Sequence, residues 1–258
     1  MGTRVFRCGA AKRAARGYFD QAEGGRLIRA GPASRKTFME KALIIGDSGA
    51  VGGAVAAELR DRGVAVTGLS RSGDGLDVTD GASVAAALDG LGPFDFVLVA
   101  TGALEIGDAG PEKALDQIDG GAMAAQFALN AVGPALVMRH AAALLPRDRR
   151  AVFAVLTARV GSIGDNRLGG WYSYRAAKAA ANQIVHTAAI ELGRTHKQAV
   201  VVSLHPGTVK SDLTAKYLGR HPAVEPAEAA GNLLSVVEGL SVDDSGGFFD
   251  WRGERVEW

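Results

Sequence analysis

The sequence predicts a single α/β domain of the doubly wound kind, in which helices cover both faces of a parallel sheet. From Lys41 onward, short runs rich in β-branched residues alternate with longer alanine-rich segments. The short runs are apolar almost throughout, as expected of strands buried on both faces. A glycine-rich turn follows the first of them, and in such folds ligands bind at the carboxyl ends of the strands.

Strands and helices are predicted to alternate along the chain. Six runs predict strands: "KALIIG", "VAVTGLS", "DFVLVATG", "RAVFAVLTA", "QAVVVSLHPG" and, at a sheet edge, "GGFFDW". Helices are predicted over "AVGGAVAAELRDRG", "DGASVAAALDGL", "PEKALDQI" (with proline in its first turn), "YSYRAAKAAANQIVHTAAIELGR" and "EPAEAAGNLLSVVEGL". This order predicts one domain and no second unit.

Composition excludes several classes of protein. The 258 residues are 47% hydrophobic and 22% charged, which suits one domain with a well-buried core. The single cysteine, Cys8, excludes an internal disulfide and favours a reducing compartment, so we expect a cytoplasmic protein. A net charge of +1 gives no reason to expect nucleic acid as a partner.

The first 38 residues differ in charge from the rest of the chain. They contain nine Lys and Arg against two Asp and Glu, whereas residues 39–258 contain twenty against twenty-six. A disordered basic tail, an Arg-rich targeting segment, or upstream sequence translated before a start at Met39 would each have this composition. We favour a tail or a misplaced start, with the folded domain over residues 39–258.

One uncharged run resembles a membrane span in length. It covers nineteen residues, "GGAMAAQFALNAVGPALVM", from Gly120 to Met138. Gln126, Asn130 and Pro134 within it weaken a membrane span. We predict a helix buried inside the protein or at a subunit contact, and no membrane association.

The turn after the first strand is a candidate phosphate site. In "IIGDSGAVGGAV", Gly46, Gly49 and Gly52 follow a strand and open a helix. Backbone N–H groups and the helix dipole can then face a phosphate without interference from Cβ atoms. A tight turn without a ligand would show the same glycines, but the place of this turn after the first strand favours a dinucleotide.

The end of the second strand, "VAVTGLSRS", indicates which dinucleotide is bound. A carboxylate here would bind the adenosine ribose and repel a 2′-phosphate. The sequence instead has Ser70, Arg71 and Ser72, one cation with two hydroxyls, which favours NADP over NAD. A solvated loop arginine is the alternative. Further on, Asp77 and Val78 of "LDVTD" are placed to bracket the adenine.

An ordered set of motifs then points to a family. "LDVTD", "NAVGP", "YSYRAAK" and "LHPGTVKSDL" follow the glycine turn in the order and approximate spacing of the short-chain dehydrogenase/reductases, which have a Rossmann fold. The string "ARVGSIGDNRLGGWYSYRAAKAAANQ" resembles the branch of the C-factor-like proteins and sniffer-like carbonyl reductases. The resemblance extends from about Lys41 to the C-terminal "RVEW". A Tyr-x-x-x-Lys pair alone is nonspecific, but the ordered set is specific.

The resemblance implies three catalytic roles. Tyr174 would donate a proton to a substrate carbonyl during hydride transfer and accept one in the reverse direction. Lys178, one helical turn on, would stabilise the phenolate, lower the pKa of Tyr174 and reach the nicotinamide ribose. Asn130 would hold a water in a proton relay; a helix-bending asparagine is the alternative.

The resemblance also implies a set of cofactor contacts. In "HPGTVKSDL", Pro206 and Gly207 would shape the turn that grips the nicotinamide carboxamide, Val209 would use its backbone, and Ser211 stands where the family usually has threonine. The predicted NADP(H) contacts are Gly46, Ser48, Gly49, Val51, Gly52, Ser70, Arg71, Ser72, Asp77, Val78, Ala100, Gly102, Tyr174, Lys178, Pro206, Gly207, Val209 and Ser211. No metal site is predicted.

Three departures from the family pattern stand out. Ala50 replaces the second turn glycine, beside Gly49, and "VATG" after the third predicted strand retains only Gly102 of the usual Asn-Asn-Ala-Gly. The serine that polarises the substrate carbonyl aligns with Ala158. Thr157 and Ser162 are the nearby hydroxyls, and because strand alternation points Thr157 away from Ala158, Ser162 is the preferred substitute.

These observations predict an NADP(H)-dependent oxidoreductase that transfers a hydride between nicotinamide and a carbonyl or alcohol substrate. A non-catalytic, NADP(H)-sensing signalling protein is the alternative, since the aligned serine is missing. A sugar-nucleotide epimerase is disfavoured because little chain follows "FFDW". The resemblance further implies a homodimer or homotetramer packed through the helices of Asn130 and Tyr174.

Overall fold

The computed structural model of the protein describes residues 37–212, 214–217 and 223–258. The predicted N-terminal extension lies outside the described residues except for its last two. Of these, Phe38 packs against the hydrophobic core, and the Arg150 guanidinium lies 3.9 Å from the centre of its ring. The folded body therefore includes at least this residue ahead of Met39.

A six-stranded, all-parallel sheet forms the centre of the molecule, which confirms the predicted doubly wound fold. In space the strands run in the order β2-β1-β3-β4-β5-β6. Their bounds are Lys41–Ile45 (β1), Ala65–Leu69 (β2), Phe96–Val99 (β3), Ala151–Leu156 (β4), Ala199–His205 (β5) and Phe248–Asp250 (β6). After β1 the chain forms β2 on one side of β1, and then β3 on its other side. Because the strand order reverses at this point, a crevice opens at the carboxyl ends of β1 and β3.

Helices cover both faces of this sheet. They are α1 (Ala50–Asp61), α2 (Arg71–Asp74), α3 (Gly81–Leu88), α4 (Gly120–Phe127), α5 (Gly133–Met138), α6 (Ala141–Leu144), α7 (Tyr172–Leu192) and α8 (Pro226–Gly239). Side chains of β4 alternate between the two cores: Ala154 packs with residues of α1 and α8, and Phe153 packs with residues of α3, α5 and α7. This alternation is the period-two pattern of a strand buried on both faces.

The predicted helix over "PEKALDQI" is wrong. Only Leu115–Gln117 forms a single 3₁₀ turn there, and the helix begins at Gly120 instead. Asp119 fixes this start, because its carboxylate accepts a hydrogen bond from the backbone N–H of Ala122 at 2.8 Å. Glu112, inside the predicted helix, is buried against the start of α7 and is unavailable for a surface helix.

The uncharged run from Gly120 to Met138 is helical but irregular. Residues Ala128–Val132 form a π turn between α4 and α5. Pro134 lacks the N–H that would bond the carbonyl of Asn130 in a regular α-helix, which favours the wider turn. Among the described residues, this run alone is long and apolar enough to cross a membrane by length and composition, with a mean hydropathy of 1.3. Here it packs along α7 and carries the buried Asn130.

Candidate functional site

The glycine turn after β1 is built by close backbone contacts. Gly46 has φ of 91°, and a Cβ atom on it would lie 3.0 Å from the backbone of Ala100. A Cβ on Gly52 would lie 2.2 Å from the carbonyl oxygen of Gly46. Both positions therefore require glycine, and both bring Ala100, a predicted cofactor contact, against the turn.

The first turn of α1 is open to a ligand. Gly49 is its N-cap residue and no side chain caps the helix, so its first backbone N–H groups face the crevice unblocked. Ser48 is exposed beside it, and Val51 is half-buried. Ala50, which replaces a family glycine, is exposed, so the turn accommodates its methyl group at the surface.

The end of β2 carries more negative charge than the sequence suggested. Ser70 caps α2, with its hydroxyl oxygen accepting from the N–H of Gly73 at 3.2 Å. The N–H of Ser70 donates to the carboxylate of Asp74 at 2.8 Å, so this acid lies beside the exposed Arg71 and Ser72. Sequence reasoning missed the contact between Ser70 and Asp74. The spacing of the two residues could have indicated it, because an acid four residues after a helix-capping serine can reach back to that serine's N–H.

Asp47 is a second carboxylate at this end of the crevice. A Cβ atom on Gly68 of β2 would lie 1.9 Å from Asp47 Oδ2, so the carboxylate occupies the space that Gly68 leaves. Its Oδ1 is buried and has no hydrogen-bond partner among the described residues. Sequence reasoning treated Asp47 only as part of the glycine turn.

The two predicted adenine contacts lie at the start of α3. Asp77 accepts hydrogen bonds from the hydroxyl and the N–H of Thr79, at 2.7 and 2.9 Å, and these bonds hold the pKa of its carboxyl below the ordinary value. Val78 is buried, 3.0 Å from the position of a Cβ on Gly133. Asp77 is exposed, whereas the side chain of Val78 is buried.

Tyr174 and Lys178 lie on the buried face of α7. Their exposed fractions are 9% and 3%, and Lys178 Nζ lies 5.8 Å from the centre of the Tyr174 ring. Lys178 Nζ also donates to the carbonyl of Leu156, the last residue of β4, at 3.1 Å. The predicted pair is therefore held together, at the carboxyl edge of the sheet.

Burial sets the protonation of this pair. It raises the pKa of Tyr174 to about 12 and lowers the pKa of Lys178 to about 8, because each charged form loses water. The direction for Tyr174 is opposite to the predicted one. At neutral pH the tyrosine therefore holds its proton, and the lysine remains mostly protonated.

Asn130 occupies the middle of the π turn and is fully buried. Its Nδ2 donates to the carbonyl of Ala103 at 2.9 Å and to Gln126 Oε1 at 2.7 Å, while its Oδ1 accepts from the Ala103 N–H at 3.3 Å. These bonds tie the π turn to α4 and to the segment after β3. Its place in the π turn fits the helix-bending alternative, and its role in a water relay stays a prediction.

Gly102 is the point where these groups meet. A Cβ atom there would lie 2.7 Å from Asn130 Oδ1 and 3.2 Å from Lys178 Nζ. The amide oxygen of Asn130 and the ammonium group of Lys178 therefore both lie close to Gly102. The structure therefore brings Asn130, Lys178 and Gly102 together from three separate stretches of sequence.

The two candidate hydroxyls have different surroundings. Thr157 follows Leu156, and its buried Oγ1 has no hydrogen-bond partner among the described residues. Ser162 is also buried, but its Oγ accepts from the N–H of Asp165 at 3.0 Å and so holds a turn. Ala158, between strand and turn, contributes only a methyl group.

The predicted nicotinamide turn follows β5. Gly207 lies against the ring of Trp251, and Val209 is buried and pairs with Val224 in a short parallel bridge. Ser211 Oγ lies 3.2 Å from Thr214 Oγ1, and its backbone N–H donates to the same hydroxyl at 3.1 Å. Pro206 connects this turn to His205 at the end of β5. Residues 213 and 218–222, which follow, lie outside the described part of the chain.

A cavity of about 10 Å³ lies against Tyr174. It is bounded by the segment after β3, by α4 and by the start of α7. Its lining residues are Leu104, Ile106, Ala109, Gly110, Pro111, Glu112, Ala122, Gln126, Ser173 and Tyr174. Glu112 and Ser173 are the polar members that sequence reasoning missed, because Glu112 was assigned to a helix without any role.

The arrangement defines a class: a nucleotide-binding α/β domain with a buried tyrosine and lysine at the carboxyl edge of its sheet. A family model described as enoyl-(acyl carrier protein) reductase matches residues 74–238. The 1-hydroxy-2-glutathionyl-2-methyl-3-butene dehydrogenase of Rhodococcus sp. (strain AD45) is 31% identical over 237 residues, which cover 85% of this chain and all of that protein. C-signal of Myxococcus xanthus is 36% identical over 169 residues, 62% of this chain and 96% of that one.

The structure of an NADPH-bound carbonyl reductase from chicken fatty liver has the same fold. It superposes with a TM-score of 0.75 at 21% identity and covers 92% of this chain and 100% of that one. The chain belongs to the short-chain dehydrogenase/reductase family of oxidoreductases.

Proposed function

We propose that the protein is an NADP(H)-dependent carbonyl reductase or alcohol dehydrogenase in which Tyr174 is the general acid and base. The observation that carries this proposal is the grouping of the buried side chains of Tyr174, Lys178 and Asn130 beside the exposed Gly102, at the carboxyl edge of the sheet. A binding module would not need a proton donor, a cation and an amide buried together. Each such group costs free energy to bury.

The residues present fit a dinucleotide. Gly46 and Gly52 leave a turn without side chains, and the first N–H groups of α1 have no side-chain cap, as a pyrophosphate requires. Gly102 leaves open the approach to Lys178 Nζ, the atom that would bond the nicotinamide ribose. Bound NADPH would supply the hydride.

Arg71 supports the choice of NADP(H) over NAD(H), since it is exposed at the end of β2, where its guanidinium, which also attracts the Asp77 carboxylate, could pair with a 2′-phosphate. The NADPH-bound chicken reductase has the same fold, and this agrees with the choice. Asp74 and Asp47 lie near the same strand end and oppose it electrostatically. We propose that Arg71 outweighs them because a phosphate offers it a bidentate partner.

In the reducing direction, Tyr174 gives its proton to the carbonyl oxygen of the substrate as the carbonyl carbon accepts the hydride. With a pKa of about 12, the phenol is fully protonated at neutral pH and ready to act as the acid. The phenolate that results lies beside the Lys178 ammonium, which stabilises it. A water near Gly102, between Asn130 and Lys178, would return the proton.

Thr157 is our candidate for polarising the carbonyl in place of the missing serine. Its hydroxyl is buried and without a partner among the described residues, and it directly follows the residue whose carbonyl bonds Lys178. The hydroxyl of Ser162, preferred on sequence grounds, already accepts a bond from the turn at Asp165. Single substitutions of Thr157 and Ser162 distinguish the two hydroxyls.

A direct test is a screen of aldehydes and ketones with the purified full chain, following the absorbance of NADPH. Turnover of at least one carbonyl compound is expected, with NADH a poorer donor. An NADP(H)-sensing signalling protein, favoured only by the missing serine, would bind NADPH in an equilibrium titration but oxidise none of it. That result would replace the enzyme proposal.

A further inference from the structure

Glu112 is a buried acid in an otherwise exposed segment. Its exposed fraction is 7%, whereas residues 113–120 that follow it are all exposed. It is the one glutamate among the described residues that is buried. A carboxylate is costly to bury unless hydrogen bonds compensate the lost water, so its contacts need an explanation.

Among the described residues, the hydrogen bonds that join Glu112 to other parts of the chain go to residues around Tyr174. One carboxylate oxygen accepts from the N–H of Ser173 at 3.2 Å, and the other accepts a very short hydrogen bond from the Ser173 hydroxyl. Its carbonyl accepts from the N–H of Trp171 at 2.5 Å. Glu112 thus binds residues one and three positions before Tyr174.

The start of α7 lacks a cap of its own. Trp171 is its N-cap residue, has φ of 55° in the left-handed region, and offers no capping side chain. The first N–H groups of a helix otherwise lack partners, and a negative charge there is favourable. Glu112 supplies both the acceptor and the charge from a distant segment. Burial opposes its ionisation, yet the bonds from Ser173 keep the pKa of its carboxyl below the ordinary value.

The contacts of Glu112 continue to the tyrosine ring. Trp171, held by the Glu112 carbonyl, lies edge-on to Tyr174 with 6.3 Å between ring centres. Ser173 and Tyr174 are adjacent in the first turn, and both line the small cavity that Glu112 also lines. A shift of Glu112 would therefore move the Tyr174 phenol in two ways: through Ser173, its neighbour in the chain, and through the ring of Trp171.

We infer that Glu112 is a positioning residue for Tyr174: by capping α7 through Ser173 and holding Trp171, it fixes the phenol against the substrate carbonyl. This inference rests on the proposed function of Tyr174 as the acid. General acid catalysis depends on hydrogen-bond geometry, so a loosened first turn lowers turnover more than it lowers cofactor binding.

A double-mutant cycle on the full chain tests the inference. The variants are Glu112→Ala, Ser173→Ala, the double variant and Glu112→Gln, with Asp108→Asn, an exposed acid of the same segment, as control. The readouts are kcat and KM for 4-nitrobenzaldehyde and the Kd for NADPH. We expect kcat to fall about 10-fold or more in each alanine variant, with the Kd for NADPH within about 2-fold. The double variant should be no worse than the poorer single one.

Glu112→Gln separates positioning from a general loss of structure. Its amide oxygen still accepts one bond from Ser173, so kcat should recover to between those of Glu112→Ala and the unsubstituted protein. Additive losses in the cycle, or equal losses in Glu112→Ala and Asp108→Asn, would overturn the inference.

Hydrogen exchange of the cofactor-free chain gives a readout that does not need turnover. Amides of residues 171–175 should exchange at least about 10-fold faster in Glu112→Ala and Ser173→Ala than in Asp108→Asn, because the first turn of α7 opens more often. Unchanged exchange would contradict the capping role. If the unsubstituted protein reduces no carbonyl compound, the proposed function fails, while this exchange experiment still decides whether Glu112 holds α7.

Discussion

The two ends of the crevice are built in opposite ways. At the proposed catalytic end, Tyr174, Lys178 and Asn130 are almost completely buried; Lys178 is bonded to β4, and Asn130 to the segment after β3. At the adenosine end, Arg71 is exposed on a helix of four residues. Charges interact more strongly where water is excluded, so a substitution at the buried end should have the larger effect.

The largest effect is expected for Tyr174→Phe, which removes the proton donor and keeps the ring. General acid catalysis contributes about 10²–10⁴-fold, so kcat should fall by that factor. The Kd for NADPH should stay within a few-fold, since the phenol oxygen is one of many contacts. Steady-state kinetics and an equilibrium titration measure both. Tyr172→Phe, two residues earlier on α7, is the matched control and should retain activity. Equal turnover in Tyr174→Phe and Tyr172→Phe would contradict the proposed role of Tyr174 as the general acid.

The next largest effect distinguishes the two hydroxyls. Loss of one donor to the developing oxyanion costs about 10²–10³ in rate, and we expect this loss for Thr157→Ala. Ser162→Ala should cost less in kcat, because its observed contact is with the turn at Asp165. Thr157→Ser, which keeps the hydroxyl, is the control. If Ser162→Ala is the more damaging change, the preference made from sequence alone was right and the proposal made from the contacts is not.

The buried cation should appear in the pH dependence of stability. Burial lowers the pKa of Lys178 from 10.5 to about 8 in the folded protein. Between these values the unfolded chain binds a proton that the folded chain does not, so the free energy of unfolding rises with pH in this window. The rise amounts to roughly 3 kcal/mol by linkage. It should be absent from Lys178→Met, compared with the unsubstituted protein by urea denaturation from pH 7 to 10. Parallel curves for the two proteins would show that Lys178 is not desolvated.

Much of the fold was predictable because its signal is local and repeated. The six strands were predicted from apolar runs, and α1, α7 and α8 from helical patterns. The helix over "PEKALDQI" failed because Glu112 finds its partner at Ser173, 61 residues away. Helix propensity carries no information about such a contact, and tertiary contacts override it.

The candidate site was predictable where spacing determines geometry. Tyr174 and Lys178 lie one helical turn apart, so their common face follows from sequence. Their pKa values did not follow, because burial has the larger effect and depends on the whole fold. The carboxylates of Asp47 and Asp74 were missed because local turns direct them toward β2. Hydrogen bonds within a short turn are the hardest feature to infer from residue types alone.

The smallest effect is expected at the exposed end. Arg71→Ala should raise the Kd for NADPH about 10-fold, the low end for a charge-assisted hydrogen bond, and leave the Kd for NADH nearly unchanged. Arg60→Ala, which removes an exposed arginine from the far end of α1, is the matched control. Because solvent-exposed charges are screened by salt, the difference between the two cofactors should shrink as ionic strength rises. If Arg71→Ala weakens both cofactors equally, Arg71 does not recognise the 2′-phosphate. Tighter binding of NADH than of NADPH by the unsubstituted protein would instead show that Asp47 and Asp74 dominate this end of the crevice.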